Sequence, residues 1–110
     1  MEFRIEYCNT DVAERILALP DTLAARYVVL TRRMAAMGPN LGEPHTKAFG
    51  DGLFELRLKG AEGIARVFFC TLIGWRIVML HCFVKKSAKT PAREIETARQ
   101  RMRMLSHANP

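Results

Sequence analysis

The groups in this sequence able to do chemistry on a charged partner are a set of cations and one carboxylate. They are Lys47, Arg57, Arg66, Lys85, Lys86 and Lys89, with Glu55 two residues before Arg57. Arg66 sits inside the apolar run Ile64–Leu72, where a guanidinium is costly unless it is paired or serves an anion. It reads two ways. One is an ion pair with Glu55 across a hairpin. The other is a clamp on a phosphate whose charge grows in a transition state, for which the guanidinium fork is well shaped. Lys85, Lys86 and Lys89 follow directly on a long apolar run, and Thr90-Pro91 behind them is a helix-start signal. Cations at a strand end beside a helix N-terminus suit a phosphate, and Arg93 extends the patch; the plainer alternative is a solvated strand end.

The three histidines, His45, His81 and His107, lie too far apart to read as a metal site. His81, alone in an apolar strand, is expected to be a hydrogen-bonded core residue. His45, in a polar loop, is the better acid/base candidate. There is no Gly-rich phosphate loop, no paired His or Cys ligand spacing and no nucleophile elbow. No metal or cofactor is expected.

These groups must be positioned by a single domain, since 110 residues suffice for one core without disulfide or metal staples. The net charge of +6 favours a polyanionic partner. From Lys85 onward there are seven positive and two negative residues, so this segment carries +5 of the +6 and is expected to be a binding surface. Cys8, Cys70 and Cys82 are odd in number and sit among apolar residues, as reduced, buried thiols do. No apolar run reaches membrane-spanning length, and the N-terminus lacks a signal peptide's apolar segment, so a cytoplasmic location is expected.

Glu2–Tyr7 alternates polar and apolar residues and predicts a half-buried strand. Asn9, Thr10 and Asp11 offer caps for a short helix to about Leu19, and Pro20-Asp21 starts a second. In that second helix Leu23, Tyr27, Leu30, Met34 and Met37 form one stripe, ended by Gly38-Pro39. Pro39 to Gly52 reads as a long polar loop holding His45 and Lys47. Strands are predicted over Leu53–Lys59, Ile64–Leu72 and Trp75–Val84. The last is apolar on both sides except at Arg76 and His81, as a central strand is. A final helix follows Pro91, with a narrow stripe of Ile95, Ala98, Met102 and Leu105 that predicts weak docking, and a frayed tail from Ser106. The order β-α-α-β-β-β-α predicts an α+β domain over 1–110. It has a four-stranded, mostly antiparallel sheet, a helical hairpin on one face, and Glu55, Arg57 and Arg66 on the other, partly open face.

The segments Gly52-Leu-Phe-Glu-Leu-Arg57, Arg66-Val-Phe-Phe69, Leu80-His-Cys-Phe-Val-Lys-Lys-Ser-Ala-Lys-Thr-Pro91 and Glu94-Ile-Glu-Thr-Ala-Arg99 resemble the RelE/HigB superfamily of bacterial toxins. The likeness is to its phage-derived HigB-like branch, and it covers nearly the whole chain. It implies a microbial-RNase-like fold and the toxin of a type II toxin–antitoxin module. Such a toxin enters the ribosomal A site and cleaves mRNA without a metal, the ribose 2′-hydroxyl attacking the adjacent phosphate. The implied partners are mRNA on the ribosome and a helix-turn-helix antitoxin encoded by an adjacent gene. By the same resemblance Arg66 steadies the scissile phosphate, Lys85, Lys86 and Arg57 complete the basic site, and Lys47 is the basic loop residue. Lys89, Arg93 and His45 are further RNA-binding candidates. The chain departs from the RelE pattern in having Glu55 near the position of a lysine, and Pro91-Ala92 near that of a tyrosine. The candidate bases are therefore Glu55, His45 and His81, in that order. A competing function class is a non-catalytic basic module of phage origin that binds nucleic acid or protein, since phosphate clamps serve binding as well as catalysis.

Overall fold

A computed structural model describes residues 2–85 and 89–108, the last three of these by their backbone alone. Lys86 lies outside the described residues. The elements are β1 (Arg4–Tyr7), α1 (Thr10–Leu17), α2 (Asp21–Met37), β2 (Thr46–Gly50), β3 (Leu53–Gly60), β4 (Gly63–Leu72), β5 (Arg76–Lys85) and α3 (Ala92–Ala108). Most follow from local chemistry. Asn9 caps α1 by accepting from the Val12 N–H at 3.0 Å, and Gly38, at φ 112°, ends α2. Of the α2 stripe, Leu23, Tyr27, Leu30 and Met34 are buried, but Met37 at the last turn is exposed. At the other end of the chain α3 continues through Ala108, so the fraying expected from Ser106 does not hold for the backbone of Ser106, His107 and Ala108.

The sheet has five strands rather than four, in the order β1-β5-β4-β3-β2, and β1 runs parallel to β5 while the other pairs are antiparallel. The additional strand, β2, lies in the segment expected to be a loop. Its turn into β3 places both Asp51 (φ 55°) and Gly52 (φ 84°) in the left-handed region. That is the backbone of a two-residue hairpin turn whose twist matches the flanking strands, and Asp-Gly is its preferred sequence. The strand was hidden because only Thr46–Gly50 pairs, at the sheet edge, amid prolines and glycines that read as loop. As its two apolar faces foretold, β5 is internal, between β1 and β4.

The sheet is covered on both faces. One core packs Val12, Ile16, Leu23, Leu30 and Met34 of α1 and α2 on sheet residues including Leu56, Val67, Phe69 and Met79. A second packs α3, through Ala98 with Ile95, Met102 and Leu105, on Leu53, Phe68, Cys70, Val78, Leu80 and Phe83. Of the stripe on α3, Ala98 is fully buried and Ile95, Met102 and Leu105 are partly buried, so α3 forms a second layer on the sheet. The open part of that face is confined to one end.

At two irregularities in the sheet α3 is tied to it by hydrogen bonds. In the β4–β5 ladder Phe68 pairs with His81 and Phe69 with Met79, which leaves Leu80 as an extra residue in β5. Its carbonyl accepts from Arg101 Nη1 at 2.9 Å, while Nη2 of the same guanidinium donates to Asp11 on α1, also at 2.9 Å. The β2–β3 register shifts between Ala48 and Gly50, and the carbonyl of Phe49 accepts from Arg99 Nη2 at 2.8 Å. Arg103 pairs with Glu96. Two of the seven C-terminal cations, Arg99 and Arg101, therefore tie α3 to other elements, and Arg103 is engaged within α3, which corrects the expectation that this charge excess is wholly a binding surface.

Cys70 and Cys82 are buried free thiols, pushed up by burial to about 11 and about 12, and Cys8 is half-buried. Among the described residues no helix is long and apolar enough to cross a membrane, and no three His, Cys, Asp or Glu side chains could share a metal ion.

Candidate functional site

Residues directly opposite each other in a ladder present their side chains to the same face. Lys47 pairs with Glu55, Arg57 with Arg66, and Ile64 with Lys85, and the cross-pairs Glu55–Phe68 and Arg66–Phe83 tie these together on the face that α3 covers elsewhere. The extra residue in β5 matters here. Val78 and Leu80 share this face before the bulge, and strict alternation would then send Phe83 and Lys85 to the opposite side. The inserted residue reverses the parity, so Phe83 joins the second core and Lys85 joins the arginines.

Beyond the end of the α3 layer these side chains line a cavity of about 250 Å³. Its charged walls are Lys47, Arg57, Arg66, Lys85 and Lys89 around a single carboxylate, Glu55, with Phe49, Thr90 and Ile95 completing it. Glu55 is fully buried. Its Oε1 accepts from Arg66 Nη1 in a short contact and from Arg57 Nε at 3.2 Å, and its Oε2 accepts from the Thr90 hydroxyl at 3.2 Å. The ion pair expected between Arg66 and Glu55 is thus formed, but it leaves the guanidinium incompletely matched. Arg66 is 6% exposed, and among the described residues its Nε is a buried donor with no hydrogen-bond partner. A buried donor without a partner carries a desolvation cost that an incoming acceptor would remove.

Lys85 is 8% exposed. Burial, and then the repulsion of Arg66, Arg57 and Lys47, hold its ammonium below the usual lysine range, with Glu55 offsetting part of this. A charged Lys85 therefore costs the folded state stability at neutral pH. That cost diminishes as pH rises through its lowered value, and a bound anion would offset it. Lys47 also lies 5.5 Å from the Phe49 ring centroid, a cation–π contact that steadies the edge strand.

Seen together, the fold brings Glu55, Arg57, Arg66, Lys47, Lys85 and Lys89 to one cavity. Arg93 is placed with Lys85 and Lys89 on an adjoining cavity of about 380 Å³. His45 lines a separate cavity, shared with Arg57 and Arg66. His81 is excluded: it is buried beneath α3, with Nε2 2.9 Å from Glu94 Oε1 and Nδ1 3.5 Å from Arg101 Nη1. It is the bonded core residue its apolar strand predicted, and it is not a base for this cavity. Thr90, a helix-cap residue by sequence, instead donates its hydroxyl to Glu55, and Phe49 lies on the strand that the Asp51-Gly52 hairpin signal locates.

Fold and site define a small basic α+β domain with an anion-receptive cavity at the open end of its sheet. The chain belongs to a phage-derived family: the family model described as Phage derived protein Gp49-like matches residues 14–103, a span that includes every wall of the cavity. No curated protein matches the chain.

Proposed function

We propose that the protein is the toxin of a type II toxin–antitoxin module, of the RelE/HigB kind, and that it cleaves mRNA on the ribosome. The observation that carries this is the cavity itself. Five cations converge on one carboxylate, and among the described residues the central arginine keeps a buried donor unmatched. Membership of a phage-derived family and the RelE/HigB-like strand and strand-end motifs support the same assignment.

In the proposed reaction the ribose 2′-oxygen bonds to phosphorus and the bond from phosphorus to the 5′-oxygen breaks. The products are a 2′,3′-cyclic phosphate and a 5′-hydroxyl. Arg66, with Arg57, holds the phosphate as its charge grows. Glu55 takes the 2′-hydroxyl proton through Oε2, which among the described residues holds a single hydrogen bond, from Thr90. Lys85 gives its proton to the leaving 5′-oxygen, a role helped by its lowered proton affinity. Lys47 and Lys89 align the flanking backbone, with Arg93 further out. Lys86 follows Lys85 in sequence and lies outside the described residues. The cognate partner is a helix-turn-helix antitoxin from an adjacent gene.

Induced expression without the neighbouring gene, followed by mapping of mRNA 5′ ends, should show new ends within translated frames and arrested growth. Arrest-free expression of folded protein with no new 5′ ends would instead favour a non-catalytic binding module. A pH profile gives a second check. Because the protonated Lys85 is the active form, the alkaline limb of cleavage should fall below the ordinary lysine value, and Lys85→Arg should shift it to higher pH. An unshifted limb in that variant would remove Lys85 from the proton-donor role.

A further inference from the structure

Where β2 stops opposite Leu56, the second half of β3 becomes an edge, and a second cavity of about 380 Å³ opens there. Arg57 and Arg66 line this cavity as well as the first, so the two are joined through the same guanidiniums. The remaining lining differs in kind. Pro44 and Ile64 supply apolar surface, His45 an imidazole ring, and Arg26 and Lys59 further donors. An inorganic anion needs no such apolar wall. A flat heterocycle with acceptors on its edge does.

The cavity is held in shape by the structure around it. The His45 carbonyl accepts from the Arg57 N–H at 2.8 Å, which fixes the start of β2 against β3. On the opposite side the first turn of α2 is pinned to the β3–β4 turn. Thr22 Oγ1 accepts from the Ala61 N–H at 2.9 Å, and the Thr22 N–H donates to Glu62 Oε2 at 3.2 Å. Gly60 makes that approach feasible, because a Cβ there would collide with the Thr22 hydroxyl. Arg26 lies one turn beyond Thr22, so its position at the cavity is set by this clamp.

We propose that the second cavity receives the nucleobase adjoining the phosphate held in the first, and that it sets the nucleotide preference of the site. This rests on the nucleic-acid role proposed above. The lining is rich in donors and holds no carboxylate, so it favours guanine and uracil, whose major-groove edges present only acceptors, over adenine and cytosine, whose corresponding edges carry an exocyclic amine. His45 stacks on the base, and Arg26 and Lys59 reach its edge.

The test is calorimetric titration of the full chain with inorganic phosphate, guanosine 3′-monophosphate and adenosine 3′-monophosphate, repeated with His45→Ala and Arg26→Gln. The guanosine nucleotide should bind at least about tenfold more tightly than phosphate, the scale of one stacked base, and more tightly than the adenosine nucleotide. Both variants should lose that increment while keeping the phosphate affinity of the parent. Arg26 is exposed, so its variant separates recognition from folding. Equal affinities for nucleotide and phosphate, or an increment that survives in both variants, would overturn the base site alone. Absence of phosphate binding in the parent chain would overturn the phosphate site as well.

Discussion

Replacing Arg66 with alanine should lower mRNA cleavage by about 10²–10³-fold, the cost of removing one preorganised donor from a developing oxyanion. Arg66 lines both cavities together with Arg57, and of the two it is Arg66 whose Nε is a buried donor left without a partner among the described residues. Arg66→Lys is the more informative variant. It keeps the charge beside Glu55 but loses the planar fork, so it should keep much of the stability and little of the cleavage. The measurement is the frequency of mapped mRNA 5′ ends at matched protein level, with thermal unfolding followed in parallel. Full cleavage and growth arrest by a folded Arg66→Ala protein would remove Arg66 from the site.

Glu55→Gln should destabilise the fold by about 3–5 kcal/mol, the usual result of stripping the partner from a buried charge pair. Two arginines meet on Oε1, and the amide removes the negative charge that compensates them while nearly preserving shape. Added phosphate should restore much of the lost melting temperature, because an anion in the cavity replaces the missing charge and mass action favours the bound fold. Cleavage should not return, since the proton acceptor is gone. A Glu55→Gln protein as stable as the parent, or one that phosphate fails to stabilise, would show that the carboxylate does not govern the charge balance of this cavity. Together the two variants separate holding the phosphate from holding the clamp.

Much of this arrangement is legible along the chain. The period of two in Leu53–Gly60 sets Glu55 and Arg57 on the face opposite Leu56 and Leu58, and a tight turn then brings Arg66 across from Arg57. Helix caps at Asn9 and Gly38 and the stripe on α2 place the hairpin layer. These are local properties, fixed by near neighbours in sequence and by the alternation of strand side chains. The grouping of Glu55, Arg57 and Arg66 on one face is therefore legible in the sequence itself.

Other features depend on groups far apart in the chain. Arg99 and Arg101 have the same composition and spacing signals as Arg93, yet they satisfy carbonyls at two sheet irregularities 49 or 50 and 21 residues away. No local pattern distinguishes a cation that holds a carbonyl from one that awaits a phosphate. His81 and His45 likewise differ only in what the fold lays over them: α3 covers the first and leaves the second beside an open cavity. The side of the sheet to which Lys85 belongs is the clearest case. Alternation along β5 alone places it away from Val78 and Leu80, and only the extra residue at Leu80, whose carbonyl is held by Arg101, brings it to Arg66. Composition and strand periodicity thus supply the side chains for the chemistry. Which of them meet is set by long-range packing, because a bulge reverses strand parity and is stabilised by a hydrogen bond from another layer of the fold.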